Sequence, residues 1–140
     1  MSSDTLEMAR RSLADAFPEV ELPVQPFGSR VVVQLRRMTN MTRGGILVIE
    51  ETQETAKWNN QVGKVLAIGP LAFKHRESGA PWSEGPWVKV GEYVRVPRWD
   101  GDRIELKIKD QDPVILVLFN DYQLLGKLTG DPLEQRVYVL

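Results

Sequence analysis

A hydrolytic centre needs a nucleophile, a base to take its proton and a group to orient that base, and the base is most often histidine. This chain has one histidine, His75, in "FKHRESGAPWSEGPW", where Ser78 and Ser83 come shortly after it. The stretch is dense in Gly and Pro, so His75 reads as a solvated loop residue rather than half of a catalytic pair. With no cysteine and a single histidine there is no zinc set. "DGDRIE" and "DQD" lack the ligand spacing of a calcium loop. Gly44-Gly45 is no phosphate cradle, because no Gly-Lys-Ser/Thr comes after it. The expectation is a protein that is not an enzyme and has no cofactor or metal of its own.

The residues after the glycine pair need another explanation. Ile46, Leu47, Val48 and Ile49 form an aliphatic run, and "EETQETAKWNNQ" after it is too polar to belong wholly to a core. Composition narrows the choices. At 140 residues the chain fits one domain with a single hydrophobic core. Lys and Arg number 18 against 19 for Asp and Glu, so no overall basic field would hold a phosphate backbone. The absence of cysteine is compatible with a reducing compartment. No apolar run approaches the roughly 20 residues of a membrane span. "SSDTLEMARRSLADAF" carries Asp4, Glu7 and Asp15 and lacks an apolar stretch, so it reads as part of a mature cytoplasmic protein and not as a targeting peptide.

The elements that must position the aliphatic run are strands. Asp4 with Glu7 suits a capping box, and Leu6, Ala9, Leu13 and Phe17 fall at helical spacing, so a short helix is expected over residues 4–17, ended by Pro18. "PEVELPVQPFG" holds three prolines and reads as an extended linker. "SRVVVQLRR" alternates, with Val31, Val33 and Leu35 on one face and Gln34 and Arg36 on the other, and "VGKVLAIG" is a second compact strand. Both are expected to be half-buried. Asp100-Gly101 predicts a two-residue hairpin turn, after which Ile104, Leu106 and Ile108 alternate with charged residues. Pro97 places the strand before that turn at an edge or bulge. "PVILVLF" is apolar on both alternations and should be the most buried strand, and "YQLLGKL" should add a last strand-like piece. Several short strands without intervening helices predict an all-β protein, a small closed or nearly closed barrel after a short N-terminal helix.

A barrel of this kind has an alternative use. Trp58, Trp82, Trp87 and Trp99, with Arg98, Arg103 and Lys107 nearby, could stack bases of single-stranded nucleic acid on a monomeric OB-like barrel. The near-zero net charge favours instead tryptophans that anchor loops.

The order of five blocks, "PFGSRVVVQLRR", "GGILV", "VGKVLAIG", "VKVGEYVRV" and "VILVLFNDYQLLGKL", resembles the co-chaperonins of the GroES type over residues 26–128. The matching positions are Pro26, Phe27, Arg30 and Val31; Gly44, Gly45, Ile46, Leu47 and Val48; Gly63, Val65, Leu66, Ala67 and Gly69; and Val88 to Glu92. The resemblance implies a GroES-like barrel over residues 24–128, flanked by a helical extension and linker (1–23) and a tail (129–140). It implies a mobile loop whose tip, Gly44 to Ile49, docks into an apolar groove of a GroEL-type chaperonin. It further implies a heptameric ring that caps the chaperonin when the chaperonin binds ATP, enclosing an unfolded client. Subunits would join through a first strand (Val24, Pro26, Phe27) laid on a neighbour's last strand (Tyr122, Leu124, Leu125, Leu128). A roof loop would carry Lys74, His75, Trp82 and Trp87. The extensions, a long polar half of the mobile loop and the tryptophan-bearing roof depart from the family pattern. These departures fit a bacteriophage-encoded member that works in the host cytoplasm on a bulky client such as a capsid protein, with a divergent bacterial paralogue as the alternative.

Overall fold

The structure is a computed structural model that describes residues 13–37 and 60–135. Its strands are β1 (Arg30–Leu35), β2 (Val62–Ile68), β3 (Tyr93–Arg95), β4 (Asp102–Leu106), β5 (Val114–Asn120) and β6 (Gly126–Lys127). They form one antiparallel sheet in the order β4-β5-β1-β2-β3-β6. The all-β expectation holds.

The central ladder is β1 on β5, with Val31 opposite Phe119 and Val33 opposite Val117. Val31, Val33, Leu35, Val65, Val94, Val117 and Phe119 build the interior cluster on one face. Val32, Val114 and Leu116 are buried on the other. β5 is apolar on both alternations because both of its faces are covered. β1 departs from the expected half-buried strand: Gln34 is 1% and Arg36 6% exposed.

The covering of the second face is the residue 18–27 stretch. Instead of a linker through solvent, Val20, Leu22 and Val24 lie against the cluster of Val32, Val114 and Leu116, as do Ile104 and Leu106 of β4. Gln34 Nε2 donates to the Pro18 carbonyl at 2.9 Å, which satisfies an amide that the alternation had assigned to water. Residues 13–16 are helical and stop before Pro18, with Phe17 N donating to Leu13 O. The remainder of the expected helix lies outside the described residues.

Two other expectations change. Asp100-Gly101 does not close a hairpin, since β4 pairs with β5 while β3 pairs with β2 and β6. Only Gly101 of the two has positive φ, at 90°, so the type I′ geometry is absent and the chain turns a corner between non-adjacent strands. The last strand is short: Asp121–Gln123 form a 3-10 turn and pairing resumes only at Gly126–Lys127. Pro97 falls beyond the β3 ladder, after Val96 N donates to Gln61 O.

Close backbone approach explains Gly69 at the end of β2. Its N–H donates to Arg30 O at 2.8 Å, and a Cβ there would overlap the Gly28 carbonyl and lie 2.9 Å from that of Arg30. Gly69→Ala is expected to lower stability by about 1 to 3 kcal/mol. In urea denaturation this reads as a lower midpoint at unchanged slope.

Candidate partner-binding site

The segment that holds the aliphatic run leaves β1 and re-enters β2 at one place. Leu35 pairs with Gly63, and Arg36 N donates to Val62 O at 2.8 Å. Gly44, Gly45, Ile46, Leu47, Val48 and Ile49, with Trp58, lie outside the described residues. The root on which they are carried is built by side chains from four directions. Arg37 donates to Asp15 O through Nε at 2.8 Å, and to Gln111 Oε1 and Asp112 O at 3.2 and 3.1 Å. Arg36 donates to Pro132 O and Gln135 O, both at 2.7 Å. Gln61 Oε1 accepts from Arg95 and Arg98. Burial, with the charge of Arg95 adding to it, pushes the Arg36 guanidinium down to about 10, so it remains charged at neutral pH and its two carbonyl partners replace lost hydration.

At the roof, residues 73–82 fold into a short irregular hairpin. His75 N donates to Ala80 O, Trp82 N to Phe73 O, and Lys74 bridges Pro81. Lys74 and His75 are exposed, and Ser78 Oγ accepts the Ala80 N–H in a local turn. Trp82 and Trp87 meet edge to face, with centroids 4.9 Å apart, and both pack on Phe73 beneath them. Phe73 has φ 61°, a strained value for a side-chain-bearing residue, and its N–H is held by the buried Asp121 Oδ2 at 2.9 Å. Asp121 Oδ1 accepts from Tyr122 N, and Asp121 N donates to Ser29 O. The Asp121 carboxylate thus ties the roof to the 3-10 turn, and the Asp121 backbone N–H ties that turn to the start of β1.

At the roof the two tryptophans pack on each other and on Phe73, which fits rings that anchor a loop. Trp99 is 72% exposed, but Arg103 beside it is committed to the carbonyls of Arg98, Asp100 and Gly101. Among the described residues no three His, Asp or Glu side chains come together as a metal site.

The third region is the edge at β6. An open cleft there is lined by Glu84, Trp87, Val88, Leu124, Leu125 and Lys127. Among the described residues Trp87 Nε1 is buried without an acceptor. The expected interface residues divide. Phe27, Tyr122 and Leu125 are 76, 67 and 61% exposed, whereas Leu124 is buried in the interior cluster and Pro26 is buried. Val24 packs on the outer face, and Leu128 on the cluster of Ala16, Phe17 and Val62. Of these, Leu124 belongs to the interior cluster of its own chain. Glu92 secures the edge: its carboxylate accepts from Lys89 N at 2.7 Å and pairs with Lys127 Nζ at 3.1 Å.

Sequence reasoning missed Asp121, Arg36 and Arg37. Asn120-Asp121 carries only a turn signal, and an Arg pair closing an apolar strand looks like a solvated face; nothing local marks either as buried.

With this geometry in place, the chain can be compared with known proteins. The family model described as "Chaperonin 10 Kd subunit" matches residues 23–127. The chain is 34% identical over 107 residues to the mitochondrial 10 kDa heat shock protein of Oryzias latipes, covering 73% of this chain and 90% of that protein. It is 32% identical over 102 residues to a co-chaperonin GroES of Caulobacter vibrioides, covering 73 and 93%. It is 33% identical over 92 residues to co-chaperonin GroES 5 of Rhizobium meliloti, covering 66 and 79%. The chain belongs to the chaperonin 10 kDa subunit family, the GroES-type co-chaperonins.

Asp121→Ala, which strands the buried Phe73 N–H, is expected to lower stability by about 1 to 3 kcal/mol, measurable as a shifted denaturation midpoint. The hydrogen bond from Lys89 N, then that from Lys127, holds the Glu92 carboxyl below its ordinary 4.5. Its contribution is complete above that ordinary value and is lost as pH falls through the lower folded one. The Lys89 amide resonance should move in that acid window in the native protein and stay flat in Glu92→Gln.

Proposed function

We propose that the protein is a co-chaperonin that forms a ring-shaped lid on a GroEL-type chaperonin, docking in a nucleotide-dependent way through the tip at Gly44 to Ile49 and enclosing an unfolded client. The observation that carries this reading is the combination of family membership with a Gly-Gly-Ile-Leu-Val segment between β1 and β2, whose ends meet at the Leu35–Gly63 pair. The segment is carried between two neighbouring, paired strands, β1 and β2.

Energetics favour several copies. Burying Ile46, Leu47 and Val48 gains about 5 to 9 kcal/mol in all, while ordering a handful of loop residues costs about 1 to 2 kcal/mol each. One tip therefore binds with little net free energy. Seven tethered tips make later contacts intramolecular, so the ring holds firmly yet releases when its partner changes state. The exposed Phe27, Tyr122 and Leu125 and the two-residue β6 edge support joining into a heptamer, since an unpaired edge beside apolar side chains invites a strand from a neighbour. The protein itself does no chemistry in this role, nucleotide is handled by the partner ring, and the work takes place in the cytoplasm. The departures from the family pattern support a narrower form of the reading, a bacteriophage-encoded lid for a bulky client such as a capsid protein.

The test is co-elution with a GroEL-type double ring, with and without ATP, of the native chain and of a variant with Ile46, Leu47 and Val48 changed to Ser. ATP-dependent co-elution that the triple substitution abolishes is the expected outcome. No co-elution of the native chain, or co-elution indifferent to the substitutions, would overturn the lid reading.

A further inference from the structure

The family match leaves out residues before 23 and after 127, and the described parts of both stretches, 13–22 and 128–135, come to the root of the segment between β1 and β2. From the N-terminal side, Ala16 O accepts from Arg37 N at 2.8 Å and Asp15 O from Arg37 Nε. From the C-terminal side, Pro132 O and Gln135 O accept from the buried Arg36. The two are joined by packing: Ala16, Phe17 and Val62 form one buried cluster, with Leu13, Tyr93, Leu128 and Leu133 against it. Phe17 and Tyr93 rings lie 5.0 Å apart, and burial, with the charge of Asp131 in the tail, pushes the Tyr93 phenol up.

Arg36 and Arg37 are the last described residues before the segment, and Val62 is among the first after it. Backbone carbonyls are the acceptors for both arginines, apart from the Gln111 amide. A guanidinium with five fixed donors can staple passing chain in this way without a carboxylate partner.

We propose that residues 13–17 and 128–135 form a clasp on the root of the residue 38–59 segment, with Arg36 as its positioning residue, and that this clasp fixes where and how the segment takes off from the sheet. Resting on the lid reading, the clasp also strengthens docking of the 44–49 tip. A root already ordered loses less conformational entropy on binding. Tips spaced by rigid anchors also keep the effective concentration that linked binding requires.

The experiment compares the full-length native chain with Arg36→Met, Arg36→Lys and Leu133→Ser. Amide hydrogen exchange is read at Arg36, Arg37 and Val62, with Leu116 and Val117 of β5 as reference, and ATP-dependent affinity for a GroEL-type double ring is measured in parallel. Leu133→Ser loosens the tail while leaving Arg36 in place, so the test survives if Arg36→Met fails to fold. Arg36→Met and Leu133→Ser are expected to speed exchange at the root about tenfold or more while β5 stays protected. Both should weaken ring binding several-fold, and Arg36→Lys, which keeps a charge and donors, should recover part of each effect. Root amides as protected in both variants as in the native chain would overturn the clasp. Faster root exchange with undiminished ring affinity would overturn its role in docking. A native chain that binds no ring overturns the lid reading and the docking half with it, while exchange still decides the clasp.

Discussion

Burial of the β1–β5 ladder on both faces is the constraint on which the rest of this molecule depends. A two-faced apolar pair cannot be left against water on either side, so one face needs an interior and the other a cover. The interior is supplied by β2, β3 and the roof residues Phe73 and Val88. The cover is supplied by β4 and by the alternating Val20, Leu22 and Val24 of the N-terminal stretch. The extension is thereby part of the fold, and its path across the outer face delivers Ala16 and Asp15 to Arg37.

The roof likewise depends on a few buried polar links. Asp121 spans from Phe73 to Ser29, and the strained backbone at Phe73 is held between that carboxylate and two tryptophans. With donors on both carboxylate oxygens and its own N–H on Ser29 O, Asp121 specifies one arrangement of three chain segments, because any other would leave buried polar groups without partners. The tryptophans contribute area and shape beneath a polar, exposed tip.

The family and much of the fold were legible from the chain alone. The five blocks in order pointed to the GroES-type family, and the family match and the relatives agree. β5 was readable as the most buried strand because "PVILVLF" has no polar alternation. The corner at Asp100-Gly101 was misread because an Asp-Gly pair carries the same local signal whether or not the flanking strands are neighbours. Gln34 and Arg36 were misread because alternation reports side-chain direction and not what lies on that side.

The sequence by itself determined the strand content, the family and the placement of an aliphatic run between two strands, since periodicity, glycine pairs and motif order are local properties. Only the tertiary structure decided which strands became neighbours, that residues 20–24 cover the outer face, and that residues 15–16 and 132–135 converge on Arg37 and Arg36. The physical reason is that burial and long-range hydrogen bonds join residues about a hundred positions apart, as Arg36 does with Pro132 and Gln135, and a carbonyl acceptor bears no side-chain signature.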